Sequence, residues 1–280
     1  MVAPLKRVLM RMPDQSFGVA DPQKWHYTAK PDLENARREH RDFAQILINL
    51  GVDVSYHDKP MDGLADALYV FDPVLITDAG AVLLRMGKQL RQGEITGMKS
   101  CLAGLGIPVI GMLEPPALAE GGDIFWIDNR TLAIGIGFRT NRAGVRQIET
   151  LLKQFGIDIL GVDLPYHHGP DACLHLLSLI SLVDERLAVI YKPLFPVSLY
   201  QDMLKREFDF IEVPDSEFST MGPNILTVAP RICIMLEGNP VTKSRLEDKG
   251  CKVYTYRGED ISLKAEGGPT CLTRPILRIT

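Results

Sequence analysis

Five times along this chain a run of helical periodicity ends, usually at a glycine, and passes at once into a short β-branched strand. These junctions stand at residues 51–56, 106–111, 156–161, 208–213 and 250–255. Apolar residues at Phe43, Ile46, Leu47 and Leu50 recur at i, i+3, i+4 and i+7, which predicts a helix stopped by Gly51. Val145, Ile148, Leu151, Leu152 and Phe155 predict another before Gly156, with Asn141 placed to cap it. Residues 98–105 predict a third, and weaker helices are expected around 197–208 and 242–250. Between the helices lie paired apolar runs broken by turn residues: 73–77 with 81–85, 123–127 with 131–134, 176–182 with 187–191, and 225–228 with 232–235. Each pair predicts a hairpin.

Residues 7–12 read as a lone first strand and 272–280 as a lone last one, with a long loop rich in Pro, Gly and aromatic residues at 13–31. A ββαβ unit thus recurs at a spacing of roughly fifty residues, the range of arrays and propellers. Unpaired strands at both ends predict a ring closed by pairing them. We expect one closed α/β domain over residues 1–280, built as five ββαβ units around an axis.

Composition changes this picture little. At 46% hydrophobic and 24% charged residues the chain can build a core, and nothing suggests disorder. A net charge of −4 gives no support for nucleic-acid or anionic-membrane binding and suits a cationic substrate. No apolar run approaches a membrane span, and residues 1–10 lack the apolar stretch of a secretory signal. Five cysteines without a CxxC pair point to a reduced, cytoplasmic protein.

The chemistry lies beyond the repeated strands. Each is followed by a loop and a second conspicuous stretch, and these hold Asp66 and Asp72, then Glu120, His175, Asn224 and Cys271. If the units ring an axis, those side chains converge. Cys271 follows Gly267, Gly268, Pro269 and Thr270, and paired glycines let a backbone approach a ligand closely. Cys101, Cys173, Cys233 and Cys251 sit inside apolar or helical runs and read as structural. Glu120 and Asp123 bracket two glycines at the mouth of a hairpin; the bland reading is a polar turn. His175 lies in an apolar run, where an imidazole is ordinarily a hydrogen-bonded core residue. Asp66 and Asp72 are six apart, an even offset that shares one face of an extended strand. His167, His168, Asp171 and Cys173 fit no standard zinc spacing and read as a solvated loop, so no metal is expected. A thiol, an imidazole and several carboxylates together suit attack on a planar cation such as guanidinium, whose charge would favour the thiolate.

These residues resemble the pentein, or guanidino-modifying, superfamily of five-bladed β/α propellers, and most nearly its dimethylarginine dimethylaminohydrolases. Residues 91–94 resemble that family's Arg-x-Gly-Glu segment, 120–123 its Glu-(Gly/Ala)-Gly-Asp, 138–141 its Ala-Arg-Thr-Asn, 174–176 its Leu-His-Leu and 267–271 its terminal Gly-Gly-x-x-Cys. The resemblance spans essentially the whole chain. It implies a cysteine-dependent hydrolase acting on arginine or an N-methylated arginine, releasing amine or ammonia and leaving a ureido product such as citrulline. Cys271 would be the nucleophile that forms a covalent thiouronium, His175 the acid and base, and Glu120 the group that holds the guanidinium and orients the histidine. Asp72 would bind the guanidinium, Asp66 would contact the substrate's amino-acid end or support the site, and Arg91 and Arg139 would bind its carboxylate. The resemblance implies a small guanidino substrate, no cofactor, and the homodimer common in the family.

Two positions depart from the family pattern. Phe71 stands where the dimethylaminohydrolases carry Glu, which removes a carboxylate and adds bulk near the guanidine substituent. Leu177 stands where arginine deiminases carry Asp, which argues against a plain deiminase. The 13–31 loop reads as a lid. An amidinotransferase or an arginine deiminase or dihydrolase would use the same Cys-His-Glu site. A ribosome-binding member of the fold would have lost those three residues, and all three are present.

Overall fold

The computed structural model describes residues 1–170 and 172–279. Strand β1 (Leu5–Met10) leads through two one-turn helices, α1 (Gln15–Gly18) and α2 (Pro22–Trp25), to helix α3 (Leu33–Asn49) and strand β2 (Asp53–Tyr56). Then the repeat begins. Hairpin β3 (Val74–Thr77) and β4 (Gly80–Leu83) is followed by α4 (Glu94–Gly104) and β5 (Val109–Met112). Next come β6 (Ile124–Trp126), β7 (Thr131–Ile136), α5 (Arg142–Leu152) and β8 (Asp158–Asp163). After them stand β9 (Ile180–Asp184), β10 (Leu187–Ile190), α6 (Val197–Lys205) and β11 (Asp209–Glu212). The last unit is β12 (Leu226–Ala229), β13 (Ile232–Leu236), α7 (Pro240–Asp248) and β14 (Lys252–Tyr256), and β15 (Arg274–Arg278) ends the order.

These strands form five sheets of three. In each repeat the hairpin is antiparallel and the helix carries the chain back to add a parallel third strand. The remaining sheet joins the two ends of the chain: β15 pairs antiparallel with β1, and β1 parallel with β2. The expected closure between the first and last strands is therefore present. Middle strands β4 and β10 are buried at every residue, whereas third strands such as β2 and β5 are exposed at both ends. Fully burying a Leu or Ile contributes roughly 1.5–3 kcal/mol, so the middle strands anchor each sheet.

The helix stops follow the backbone physics of the junctions. Gly51, Gly106, Gly156 and Gly250 adopt φ of 79°, 71°, 67° and 78°. The fourth junction lacks glycine, and there Glu207 takes the left-handed conformation itself, at φ 63°. Asn141 caps α5 by accepting from the Gly144 amide, as expected.

Three expectations need correction. Residues 13–31 are not a structureless loop: Asp14 and Asp21 cap the two short helices, and Phe17, Trp25 and Tyr27 are buried. Leu176–Ser178 form a helical turn, so the hairpin strand starts only at Ile180. Asp66 and Asp72 do not share a strand, because Ala65–Leu68 is a helical turn and residues 70–73 form a second turn. Among the described residues no helix is long and apolar enough to cross a membrane.

Candidate active site

The candidate residues occupy one kind of place. Asp66 and Asp72 lie between β2 and β3, Glu120 between β5 and β6, His175 between β8 and β9, Asn224 between β11 and β12, and Cys271 between β14 and β15. Each is in the connection that leads from the third strand of one sheet to the first strand of the next. Neighbouring connections are tied in a closed circuit. Gly121 and Gly122 donate to the Asp72 carbonyl and Oδ1, both at 2.9 Å. The Leu176 amide donates to Asp123 Oδ1 at 3.0 Å. Ser181 Oγ donates to the Pro223 carbonyl at 2.7 Å and accepts from the Ile225 amide at 3.0 Å. The Thr270 amide donates to Asn224 Oδ1 at 3.1 Å, and the Phe71 amide to the Cys271 carbonyl at 3.3 Å.

One part of the site carries a carboxylate and an imidazole. Glu120 is wholly buried; its Oε1 accepts from the Lys88 amide at 2.9 Å, and its Oε2 meets His175 Nε2 at 2.7 Å and Arg139 Nη1 at 3.3 Å. Burial opposes its charge, yet the bond to His175 and the charges of His175, Arg139 and Arg91 hold it well below the usual carboxylate range. Burial likewise opposes a charged His175, but Cys173, Asp123 and Glu120 together raise its pKa well above the usual imidazole value. The ring lies flat against Gly122, where an added Cβ would stand 2.3 Å from Nδ1. Asp123 is pushed up to about 6 by burial and leaves its Oδ2 without a hydrogen-bond partner.

Charge is also dense around the two aspartates. Asp72 accepts from Arg91 Nη1 at 2.5 Å, and Arg91 clasps Glu94 through Nε and Nη2 at 2.8 and 2.9 Å. Arg91 Nη2 donates further to the Tyr69 carbonyl at 3.0 Å. Asp66 accepts from Tyr27 Oη and from Lys88 Nζ, both at 2.6 Å, and Lys88 Nζ also donates to the Trp25 carbonyl at 2.7 Å. The 13–31 segment is thereby fastened to the site through Trp25 and Tyr27. Asp72, Glu120 and His175 each bring a donor atom within 4.8 Å of the others. The two carboxylates keep unused lone pairs there, a setting for a planar cation.

Another part of the site carries the thiol. Cys271 retains some solvent contact, and its Sγ is 3.8 Å from Asn224 Nδ2 and 4.0 Å from Thr270 Oγ1. Burial and the nearby Asp72 charge push the thiol up to about 11, with His175 opposing. Here too a glycine pair is pressed against working side chains. A Cβ on Gly268 would stand 2.4 Å from Asn224 Oδ1, and one on Gly267 2.0 Å from the Tyr69 ring.

A family model described as arginine deiminase matches residues 55–198 and 194–278. The chain belongs to the arginine deiminase family. With it the protein falls among the hydrolases of C–N bonds in amidines. The uncharacterized protein YkgA of Bacillus subtilis is 30% identical over 247 residues, covering 88% of this chain and 82% of its own. The N(G),N(G)-dimethylarginine dimethylaminohydrolase of Pseudomonas aeruginosa is 26% identical over 268 residues, 96% of this chain and 98% of its own. Among solved structures, a dimethylarginine dimethylaminohydrolase carrying an S-methyl-L-thiocitrulline adduct superposes with a TM-score of 0.81 at 25% identity, over 98% of this chain and 100% of that one. The N-terminal domain of the cyanobacterial arginine dihydrolase ArgZ, bound to substrate, gives a TM-score of 0.82 at 24% identity over 98% of both chains, a likeness of fold.

Within this arginine deiminase fold the expected residues are not equally free. Asp66, Asp72, Glu120, Arg139, His175 and Cys271 border one region. Arg91, expected at a substrate carboxylate, instead spends its guanidinium on protein acceptors. Phe71, expected to crowd the guanidine, turns its ring into the apolar cluster of Leu177 and Ile225, under the Arg274 guanidinium at 3.7 Å. The sequence reading also misplaced Cys173: its Sγ lies 3.7 Å from His175 Nδ1, so it is a second thiol of the site and not a core residue. Its spacing of two from His175 was the available signal. Lys88 was missed altogether, being one charged residue in a polar loop. The His167 and His168 rings lie 4.0 Å apart in the loop, tilted by 47°, while Asp171 lies outside the described residues.

Proposed function

We propose that the protein is a cysteine-dependent hydrolase of N-methylated arginine, yielding citrulline and a methylated amine. In this reading the five sheets stand as blades of one propeller about a pseudo-five-fold axis, and the five connections meet at its mouth. The observation that carries the reading is that a buried Glu120–His175 couple, the Asp72 carboxylate beside it and the Cys271 thiol lie close enough to feel one another's charge. The full-length match to the Pseudomonas aeruginosa dimethylarginine dimethylaminohydrolase supports the substrate class.

Asp72 and Glu120 hold the guanidinium. Its positive charge offsets the penalty that burial and Asp72 place on the Cys271 thiolate, so the thiol proton is released as substrate binds. The thiolate attacks the guanidinium carbon, forming a C–S bond and a tetrahedral adduct. His175, charged at rest, gives its proton to the departing amine as the C–N bond breaks. The neutral imidazole then takes a proton from water, whose oxygen attacks the thiouronium carbon. Breaking the C–S bond of this second adduct, with its hydroxyl proton lost to solvent, releases the ureido product and returns the thiolate. Arg139 meets the substrate's carboxylate and Asp66 its amino-acid end, whereas Arg91 fixes the direction of Asp72. The test is a colorimetric ureido assay with asymmetric dimethylarginine, monomethylarginine and arginine, with Cys271→Ser as control. Citrulline from the methylated substrates alone, abolished in a folded Cys271→Ser protein, is expected. Undiminished turnover by Cys271→Ser, or no citrulline from either methylated substrate, overturns the proposal.

A further inference from the structure

We infer that Asn224 positions and stabilises the Cys271 thiolate, so that the fourth connection supplies a working part of the site; this rests on the reading of Cys271 as nucleophile. The carboxamide orientation is fixed by what surrounds it. Oδ1 accepts from the Thr270 amide at 3.1 Å and from Thr270 Oγ1 at 2.9 Å. A backbone N–H can only donate, so the oxygen faces Thr270 and the nitrogen must face the other way. That nitrogen points at Cys271 Sγ, 3.8 Å distant. Asn224 is 6% exposed, so its amide has no ready exchange of this partner for water.

The surrounding sequence serves the same contact. Asn224 enters from a tight turn in which Met221 takes φ 61° and the Asn224 amide donates to the Met221 carbonyl at 3.0 Å. Gly268 lets the 267–270 segment lie against the carboxamide, because a Cβ there would overlap Oδ1. Thr270 then clamps Oδ1 from two directions one residue before the nucleophile. The arrangement aims one fixed N–H dipole at sulfur. Such a donor favours the thiolate over the thiol, because a hydrogen bond to a charged acceptor is stronger than one to a neutral acceptor. It acts before substrate arrives and continues when the sulfur leaves the thiouronium. The other groups that act on the sulfur are Asp72 and Cys173, which disfavour the thiolate, and His175 and the Gly268 backbone, which favour it; Tyr69 and Tyr256 lie near enough to feel its charge.

The decisive variant is Asn224→Asp. It keeps the shape and an oxygen for Thr270, but turns a carboxylate or carboxyl oxygen toward sulfur in place of the N–H. Carbamidomethylation of Cys271 by iodoacetamide, followed on its peptide by mass spectrometry from pH 7 to 10.5, reads thiolate content without any substrate. We expect the rate at a given pH to fall about tenfold and the rising limb to move about one pH unit upward, since one unit corresponds to tenfold in thiolate. In the ureido assay kcat should fall by a similar factor while KM stays within about threefold, since Asn224 faces the sulfur and not the guanidinium-binding carboxylates. Circular dichroism checks folding, and Asn224→Ser, whose hydroxyl is too short to reach sulfur, gives the same readout if Asn224→Asp does not fold. An unchanged alkylation profile in the folded variants overturns the inference. A shifted profile in a protein that turns over no guanidine would uphold it and remove the functional proposal instead.

Discussion

Two glycine pairs border the site, one against His175 and one against Asn224, and they hold opposite kinds of chemistry. Gly121 and Gly122 carry the Glu120–His175 wall, where each charge already has partners: Lys88, Arg139, His175 and Cys173. Gly267 and Gly268 carry the Cys271 wall, where the thiol has only long contacts to Asn224 and Thr270. The backbone device is the same, a Cβ-free surface against which a functional side chain lies flat. The electrostatic outcome differs: one wall holds charge at rest, whereas burial and Asp72 oppose ionisation of the thiol on the other. In the proposed mechanism a nucleophile kept protonated in this way is shielded from stray electrophiles, and its activation is tied to binding of the right charge.

Alanine scanning of the two pairs breaks the comparison most sharply. Gly122→Ala places a Cβ inside the space of the His175 ring, and displacing a catalytic group by about 1 Å can cost on the order of 100-fold in rate. We expect kcat to fall by at least that factor, with alkylation of Cys271 less affected. Gly268→Ala should reverse the pattern, because its Cβ meets Asn224: alkylation slows about tenfold, in line with a lost hydrogen bond to charge. Equal effects of both substitutions on both readouts would show that the walls are not separable.

The pH dependence sharpens the same point. Burial penalises the thiolate, so alkylation of Cys271 in the free enzyme should keep rising toward pH 10.5, consistent with a thiol near 11. Bound guanidinium favours the thiolate, so kcat should level off at a pH at least about two units lower. Profiles that level off together would mean that substrate does not ionise the thiol.

Much of this architecture was legible before the coordinates. Helix-to-strand junctions are written in local backbone chemistry, and their spacing exposed the repeat, the end-to-end pairing of β1 with β15 and the register of Asp72, Glu120, His175 and Cys271. What escaped depended on side-chain direction. Whether Cys173 lies in a core or beside His175, and whether Phe71 points at substrate or under Arg274, is decided by contacts distant in sequence. Arg91 is a ligand only by the family resemblance, and its distant partners Asp72 and Tyr69, some twenty residues away, do not show in the local sequence. The fourth junction shows the limit of the local code: Glu207 occupies a glycine's conformation without being glycine. Glu207→Gly should relieve about 1–2 kcal/mol of left-handed strain against about 0.5–1 kcal/mol of added chain entropy. The net is a gain of about 0.5–1 kcal/mol, measurable as a rise in the urea midpoint; a fall would show that Glu207 has another role.

The central claim is that Cys271, and not the neighbouring Cys173, becomes covalently bound to the guanidine carbon. Acid quenching of enzyme during turnover of monomethylarginine, followed by peptide mass spectrometry, tests it directly. The account predicts an amidino adduct on the peptide containing Cys271 and none on that containing Cys173. An adduct on Cys173 alone, undiminished by Cys271→Ser, would contradict it.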